Sequence, residues 1–241
     1  MNKQTILDIF KQNNISLTNT QLEQFDTYYN LLIEYNNKYN LTAITNINEV
    51  ASKHFVDSVL PQYLIKRNSR VLDIGCGAGF PSIPLAIIRP DLNFTLIDSV
   101  GKKVDFVNIV IDALKLNNCT AIHTRAQEFC NNSTRGSFDY TVSRAVAPLN
   151  VLCELCIPFI KHDGIMLAYK GISYNEEVTS SNNAFNKLFI KLDKVESKEL
   201  VSTTQVNTKE NLLRYYLIIK KYKPTPTIYP RLKNLIKTKP L

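Results

Sequence analysis

Nothing in the chain reads as an export signal or a bilayer span. The opening stretch MNKQTILDIFKQNN lacks the roughly 7–15-residue apolar core of a signal peptide. No run approaches the ~20 apolar residues that cross a membrane. Five cysteines, an odd number, cannot all pair, and without an export signal reduced thiols in the cytoplasm are expected. The lone Cys153-Glu154-Leu155-Cys156 has no second pair and no histidine at zinc spacing, so no metal is expected and both thiols read as core. There is no internal repeat and no long low-complexity tract. Residues 220–241 contain no acidic side chain, yet they hold Lys220, Lys221, Lys223, Arg231, Lys233, Lys237 and Lys239. These seven account for most of the net charge of +8, which leaves the rest of the chain nearly neutral. A basic tail broken by Pro224, Pro226 and Pro230 suits a polyanion such as RNA; the alternative is a solubilising, poorly ordered end.

What is present fits one large α/β domain with an added segment, since 241 residues bury a substantial core. Residues 1–66 read as an N-terminal helical segment. Leu22, Phe25, Tyr29, Leu32 and Ile33 form a helical stripe, and a further helix is expected from Asn46, with Glu49 completing a capping box, to just before Pro61. From Arg70 the pattern alternates. Strands are expected at 70–74, 94–98, 121–124, 138–143, 165–169 and 213–222, with helices at 81–88, 102–116, 149–160 and 176–192. Residues 194–201 are ambiguous. The alternation predicts a doubly wound, mostly parallel sheet over 67–223, followed by the tail 224–241.

The strongest motif is Asp73-Ile74-Gly75-Cys76-Gly77-Ala78-Gly79-Phe80, a strand running into alternating glycines before a helix. Glycine supplies positive φ and lets a ligand approach the backbone, so a side chain at Gly75 is expected to take up the ligand's space. A dinucleotide or S-adenosylmethionine fits such a turn. Dinucleotide loops read G-x-G-x-x-G and put a diphosphate at the helix start. Here the spacing is G-x-G-x-G, and Asp73 would repel a diphosphate but attract the ammonium of S-adenosylmethionine, directly or through water. Asp98 ends the next strand, where it suits ribose hydroxyls of either ligand.

Further blocks carry a resemblance. They are Asn40-Leu41-Thr42-Ala43-Ile44, His54-Phe55-Val56-Asp57-Ser58, Asp73 to Pro84, and Ser143-Arg144-Ala145-Val146-Ala147-Pro148-Leu149. Lys170-Gly171 and the tail beginning Tyr229-Pro230-Arg231 follow in order. In these the chain resembles the ribosomal small-subunit methyltransferase G family, also called glucose-inhibited division protein B. The resemblance implies a Rossmann-like class I S-adenosylmethionine methyltransferase fold preceded by helices. It also implies methyl transfer to N7 of a guanine in small-subunit (16S) ribosomal RNA, with RNA or the 30S subunit as partner. On the family's pattern Gly75, Phe80, Ala126, Gln127 and Arg144 contact the cofactor, joined here by Asp73, Gly77, Gly79 and Asp98. The chain departs from that pattern at Gln127, where an acidic residue is common, and at Leu232–Leu235, where a glycine is usual.

The chemistry is consistent with a ring-nitrogen acceptor. Guanine N7 offers an in-plane lone pair and no proton, so alignment replaces a general base. The Asn/Asp-Pro-Pro-aromatic motif of many amine methyltransferases is absent, and no cysteine stands where a pyrimidine-C5 enzyme places its nucleophile. No catalytic residue is certain, and Arg144 is the best candidate. Lys102 and Lys103 oppose the dipole of the helix they open, which suggests RNA contact, as do Lys170, Arg231, Lys233, Lys237 and Lys239. His54 and Asp57, three apart on one helix, are within reach of each other, and read as packing or helix docking or, alternatively, as part of the substrate site; Tyr169 and Lys170 are expected to line a base pocket. A small-molecule methyltransferase, an RNA-binding cofactor sensor and, remotely, a dehydrogenase are the rival readings.

Overall fold

A computed structural model describes residues 2–201 and 212–241. The first segment packs α1 (Asn2–Gln12) against α2 (Asn19–Tyr39). Thr18 starts α2 with a reciprocal capping box: its hydroxyl accepts from the Gln21 amide, and the Gln21 side chain accepts from the Thr18 amide. Phe25, Tyr28 and Leu32 carry the buried face, with Leu22, Tyr29 and Ile33 flanking it. The expected box at Asn46 does not form. Asn46 caps α3 (Ile47–Glu49) through the Asn48 amide, while Glu49 turns to Lys53 at 2.5 Å. The helix expected from Asn46 to just before Pro61 does form over 47–59, but its middle is a wider π-turn over Val50–Val56, which leads into α4 (Asp57–Val59).

The sheet then alternates as expected. It comprises β1 (Arg70–Ile74), α5 (Ser82–Ile88), β2 (Asn93–Asp98), α6 (Gly101–Leu114), β3 (Cys119–His123), α7 (Ala126–Phe129) and β4 (Phe138–Arg144). It continues with α8 (Leu149–Cys156), β5 (Ile160–Lys170), α9 (Tyr174–Ser180), α10 (Asn182–Leu188), β6 (Ile190–Glu199), β7 (Leu213–Lys221) and α11 (Lys233–Thr238). Strand order is β3-β2-β1-β4-β5-β7-β6; β1 to β5 pair in parallel, and β7 inserts antiparallel between β5 and β6. The order reverses between β1 and β4, so a crevice opens there beyond the carboxyl ends of the strands.

Most boundaries shift by one or two residues and α7 is an added turn of helix; the larger differences lie further on. Helix α8 stops at Cys156, just ahead of Pro158, and β5 begins at Ile160, five residues early. The helix expected over 176–192 divides at Ser181 into α9 and α10. The ambiguous stretch 194–201 lies mostly in β6.

One core face joins the N-terminal helices to α5 and α6, centred on Phe25, Tyr28, Phe55 and Phe80. The other lies under α8 and α10, and the tail docks onto it. Tyr229, Ile236 and Leu241 are buried. Asn150 donates to the Leu241 carbonyl at 3.1 Å. The poorly ordered end is therefore not what forms. Cys153 and Cys156 are core residues, as read from their spacing.

Candidate active site

A crevice of about 550 Å³ opens above β1, β2 and β4. Its floor is the glycine loop, which the neighbouring strand holds by its backbone. The Gly75 and Cys76 amides donate to the Ile97 carbonyl at 2.8 and 3.1 Å. Asp98 accepts from the Gly77 amide through Oδ2 and from the Val100 amide through Oδ1, each at 2.9 Å, so one carboxylate ties the loop to the start of α6. It lines the crevice while doing so.

The three glycines serve different ends. At Gly77, φ is +59° and a Cβ would meet nothing within 4 Å, so the backbone lies open to a ligand. Above Gly75 the space is not the ligand's, as expected from the sequence, but belongs to Val146, whose Cγ2 would lie 2.7 Å from a Cβ. Gly79 does not line the crevice; a Cβ there would meet Ile83 and the Tyr28 hydroxyl.

Asp73 lies beneath the loop, fully buried, with the Ser82 hydroxyl and amide beside it but no well-formed hydrogen bond to either carboxylate oxygen. Burial pushes its pKa up to about 7, although Ser82 and Arg144 pull the other way. A buried carboxylate without a well-formed hydrogen bond, beneath a loop with open backbone, fits a ligand that carries a cation. It does not fit a diphosphate. Phe80, Ala126 and Gln127 complete the walls, with Lys103 and Lys233 at the edge. Lys102 is exposed outside the crevice.

At the end of β4, Arg144 is gripped by the N-terminal segment. It donates to Asp57 Oδ2 at 2.9 Å, to the Lys53 carbonyl at 3.2 Å and to His54 Nδ1 at 3.4 Å. Its guanidinium lies 5.2 Å from the centroid of the Phe80 ring. His54 and Asp57, three apart and within reach of each other, both turn to this arginine and dock the N-terminal segment on it. Burial, reinforced by the Arg144 charge, lowers the His54 pKa to about 3 and keeps the ring neutral. With Nδ1 accepting from Arg144, Nε2 carries the proton and donates to Thr42 Oγ1 at 2.8 Å. The ring stacks on Phe80 at 4.5 Å. Asp57 also bridges to Arg214 at 2.9 Å. Local spacing carries no signal for Arg214, because β7 reaches this place only by inserting beside β5.

Beyond Arg144 lies a second cavity of about 780 Å³. It shares His54, Arg144, Ala145 and Val146 with the first, so the two meet at the β4 terminus. Ala145 holds a φ of +56° at this junction. Tyr169 reaches the cavity wall, but its hydroxyl is tied to the Ser58 carbonyl at 2.8 Å and its ring stands edge-on to Tyr216. Lys170 bonds Glu177 at 2.5 Å and the Ala147 carbonyl at 3.2 Å, so it is held in the cavity wall instead of facing outward as a free cation.

The tail cations divide in the same way. Arg231, expected to face RNA, is an internal anchor: its Nε, Nη2 and backbone amide bind the fully buried Glu154 at 2.7 to 2.8 Å. Lys233 sits at the crevice edge, Lys237 lines a groove between α8 and the tail, and Lys239 is exposed. Among the described residues no helix is long and apolar enough to cross a membrane, and no cluster of His, Cys, Asp or Glu is arranged to hold a metal ion.

Comparison with known proteins adds relatives to this geometry. A family model described as rRNA small subunit methyltransferase G matches residues 21–207. The chain is 43% identical over 240 residues to a protein of Desulforamulus reducens named Ribosomal RNA small subunit methyltransferase G, covering 98% of this chain and 97% of that one. A Streptococcus pneumoniae protein of the same name is 40% identical over 245 residues, covering the whole of both chains. In fold, the chain is similar to M. jannaschii TYW2 in complex with AdoMet, at TM-score 0.52 and 16% identity over 68% of this chain and 73% of that one. P. horikoshii TYW2 in complex with MeSAdo gives a TM-score of 0.54 at 13% identity, over 69% and 62%.

Proposed function

The chain belongs to the rRNA small subunit methyltransferase G family, and from that premise we propose that it transfers a methyl group from S-adenosylmethionine to N7 of a guanine in small-subunit (16S) ribosomal RNA. The observation that carries this reading is the meeting of two cavities at Arg144, one floored by the glycine loop and one large enough for a nucleotide. Gly75, Gly77, Phe80, Asp98, Ala126 and Gln127 would hold the cofactor, with Asp98 accepting from its ribose, while Asp73, buried and outside the crevice lining, would act on its cationic end only through the loop. When bound, the cofactor supplies an electrophilic methyl group on a sulfonium.

The residues at the junction position and desolvate. Arg144 is fixed on three sides by Asp57, His54 and the Lys53 carbonyl, and holds the mouth between the two cavities in one geometry. A neutral His54 whose Nδ1 already accepts a hydrogen bond is not a proton acceptor, and N7 has no proton to give up. The chemistry therefore asks for alignment without a general base. Lys102, Lys103, Lys233, Lys237 and Lys239 form the cationic rim for RNA phosphates, in the cytoplasm. The base must be accessible, since A-form helices hide N7 in a deep groove; a loop or a partly assembled 30S subunit meets that need.

Incubating the protein with labelled cofactor and small ribosomal subunits, then mapping the modified nucleotide, tests the proposal. One 7-methylguanosine is expected. Label that enters only small metabolites would refute it.

A further inference from the structure

The cavity beyond Arg144 contains two carboxylates, and they are not equivalent. Asp57 is held between two cations, Arg144 on Oδ2 and Arg214 beside Oδ1, which hold its charge at the inner end of the cavity. Glu177, on α9, uses only half of its carboxylate. Oε2 accepts from the Leu149 amide at 2.9 Å and from Lys170 Nζ at 2.5 Å. Among the described residues, no group donates to Oε1. The pair is half buried in the wall, with side-chain exposures of 9% for Lys170 and 27% for Glu177. It lines this cavity and not the crevice over the glycine loop.

We infer that Lys170 and Glu177 together read the Watson–Crick edge of the target guanine, an inference that rests on the assignment of this cavity to the acceptor base. Along that edge guanine presents an acceptor, O6, followed by donors at N1 and the 2-amino group. A fixed ammonium beside a carboxylate with one unused oxygen offers the matching donor and acceptor in the same order. Lys170 Nζ donates to O6, and Glu177 Oε1 accepts from the 2-amino group. Adenine sets its 6-amino donor against the ammonium and has only a C–H where the 2-amino group would meet Oε1, so one contact is opposed and the other lost. N7 lies on the adjoining edge, next to O6, and is left free by both contacts.

The network also fixes what a conservative substitution does. In Glu177→Gln the amide oxygen must take the Oε2 place, because Leu149 N–H and Lys170 both donate there. The amide nitrogen is then left in the Oε1 place, where a donor faces the donor of guanine. The charge is lost and the contact reversed in one step.

The test uses 30S subunits reconstituted with guanosine or inosine at the mapped methylation position, since inosine lacks only the 2-amino group. Wild-type kcat/KM should fall roughly 10- to 100-fold on inosine. Glu177→Gln should lose a similar factor on guanosine and almost nothing further on inosine, because the two changes remove one contact. A purely structural Glu177 would give losses that multiply, and that result overturns the inference. So does wild-type enzyme that methylates inosine as well as guanosine, a measurement that needs no variant to fold. If wild-type enzyme methylates no guanosine in the subunit, the functional assignment itself fails, and that outcome is distinct from both.

Discussion

Removing the guanidinium of Arg231 should either destabilise the whole protein or release its tail. Glu154 is fully buried and takes three hydrogen bonds from Arg231, two of them from the side chain. Arg231→Ala leaves the backbone amide as the last donor from this residue to a buried carboxylate. Breaking one side of such a pair costs about 3–5 kcal/mol. In a chain of this size each kcal/mol lowers Tm by about 2–4 °C. If the tail stays docked, Tm should therefore fall by roughly 6–20 °C. The tail has another course: it can peel away and let water reach Glu154. That course forfeits the burial of Tyr229, Ile236 and Leu241, each worth about 1.5–3 kcal/mol. The two costs are comparable, so partial release is expected at temperatures well below Tm. Differential scanning calorimetry reads the first outcome. Limited trypsin digestion, resolved by mass at Lys233 and Lys237, reads the second. Unchanged Tm together with an unchanged cleavage rate would refute the reasoning. The double variant Glu154→Leu with Arg231→Met should recover most of the loss, because it leaves no buried charge without a partner.

Gly77→Ala should fold, at a cost of about 1–2 kcal/mol for its positive φ, yet weaken S-adenosylmethionine binding at least tenfold, because the added methyl enters open space over the loop. Calorimetric titration checks this, and unchanged affinity would remove Gly77 from the binding surface. Lys233→Gln and Lys237→Gln should each lower the slope of log affinity for RNA against log salt by about one, without altering cofactor affinity. An unchanged slope excludes these lysines from phosphate contact. Ligand-free stability should vary little with pH between about 4 and 6.5, because two buried groups oppose each other there. His54, lowered from 6.5 to about 3, leaves the extra proton on the unfolded chain, so its contribution falls as pH drops through that window. Asp73, raised from 3.8 to about 7, keeps the extra proton in the folded state, so its contribution falls as pH rises. Asp73→Asn should leave the His54 slope alone, with stability rising by up to about 1.4 kcal/mol per pH unit toward 6.5 in urea titrations. A variant whose profile runs parallel to wild type would show that Asp73 does not titrate there.

The strand and loop framework was legible because its signals are local. Arg70–Ile74 announces a buried strand by its apolar run, and the alternating glycines announce the turn that follows. The cluster around Arg144 was legible residue by residue but not as a cluster. Arg144, His54 and Asp57 each stand out in the sequence, yet their pairing depends on how the N-terminal segment docks 87 to 91 residues away along the chain. Glu177 gave no signal, since an acidic residue near a helix start is ordinary. The tail misled for a physical reason. Its buried anchors Tyr229, Ile236 and Leu241 have no helical or strand period, so lysines and prolines dominate the pattern. One usable signal was present in Cys153-Glu154-Leu155-Cys156: a carboxylate between cysteines on an apolar helix face requires a cationic partner from elsewhere in the chain, and Arg231 is that partner.

The π-turn over Val50–Val56 explains why His54 and Asp57 do not bond to each other. In an α-helix of 3.6 residues per turn, positions three apart project only about 60° from one another, close enough for direct contact. Here the Asp57 amide bonds the Ser52 carbonyl, five residues back, so the turn is wider and the two side chains diverge. The gap between them admits the Arg144 guanidinium, which takes Asp57 on one nitrogen and His54 on the other. The same widening leaves the Lys53 carbonyl to accept from Arg144. Helices that look from sequence like a preface to the cofactor domain thus supply three of the contacts that orient its junction arginine. The aromatic stack of Tyr28, Phe55 and Phe80 holds that docking from beneath. Any change that regularises the π-turn would bring His54 back toward Asp57 and expel the guanidinium, so the irregular turn and the position of Arg144 form one structural unit.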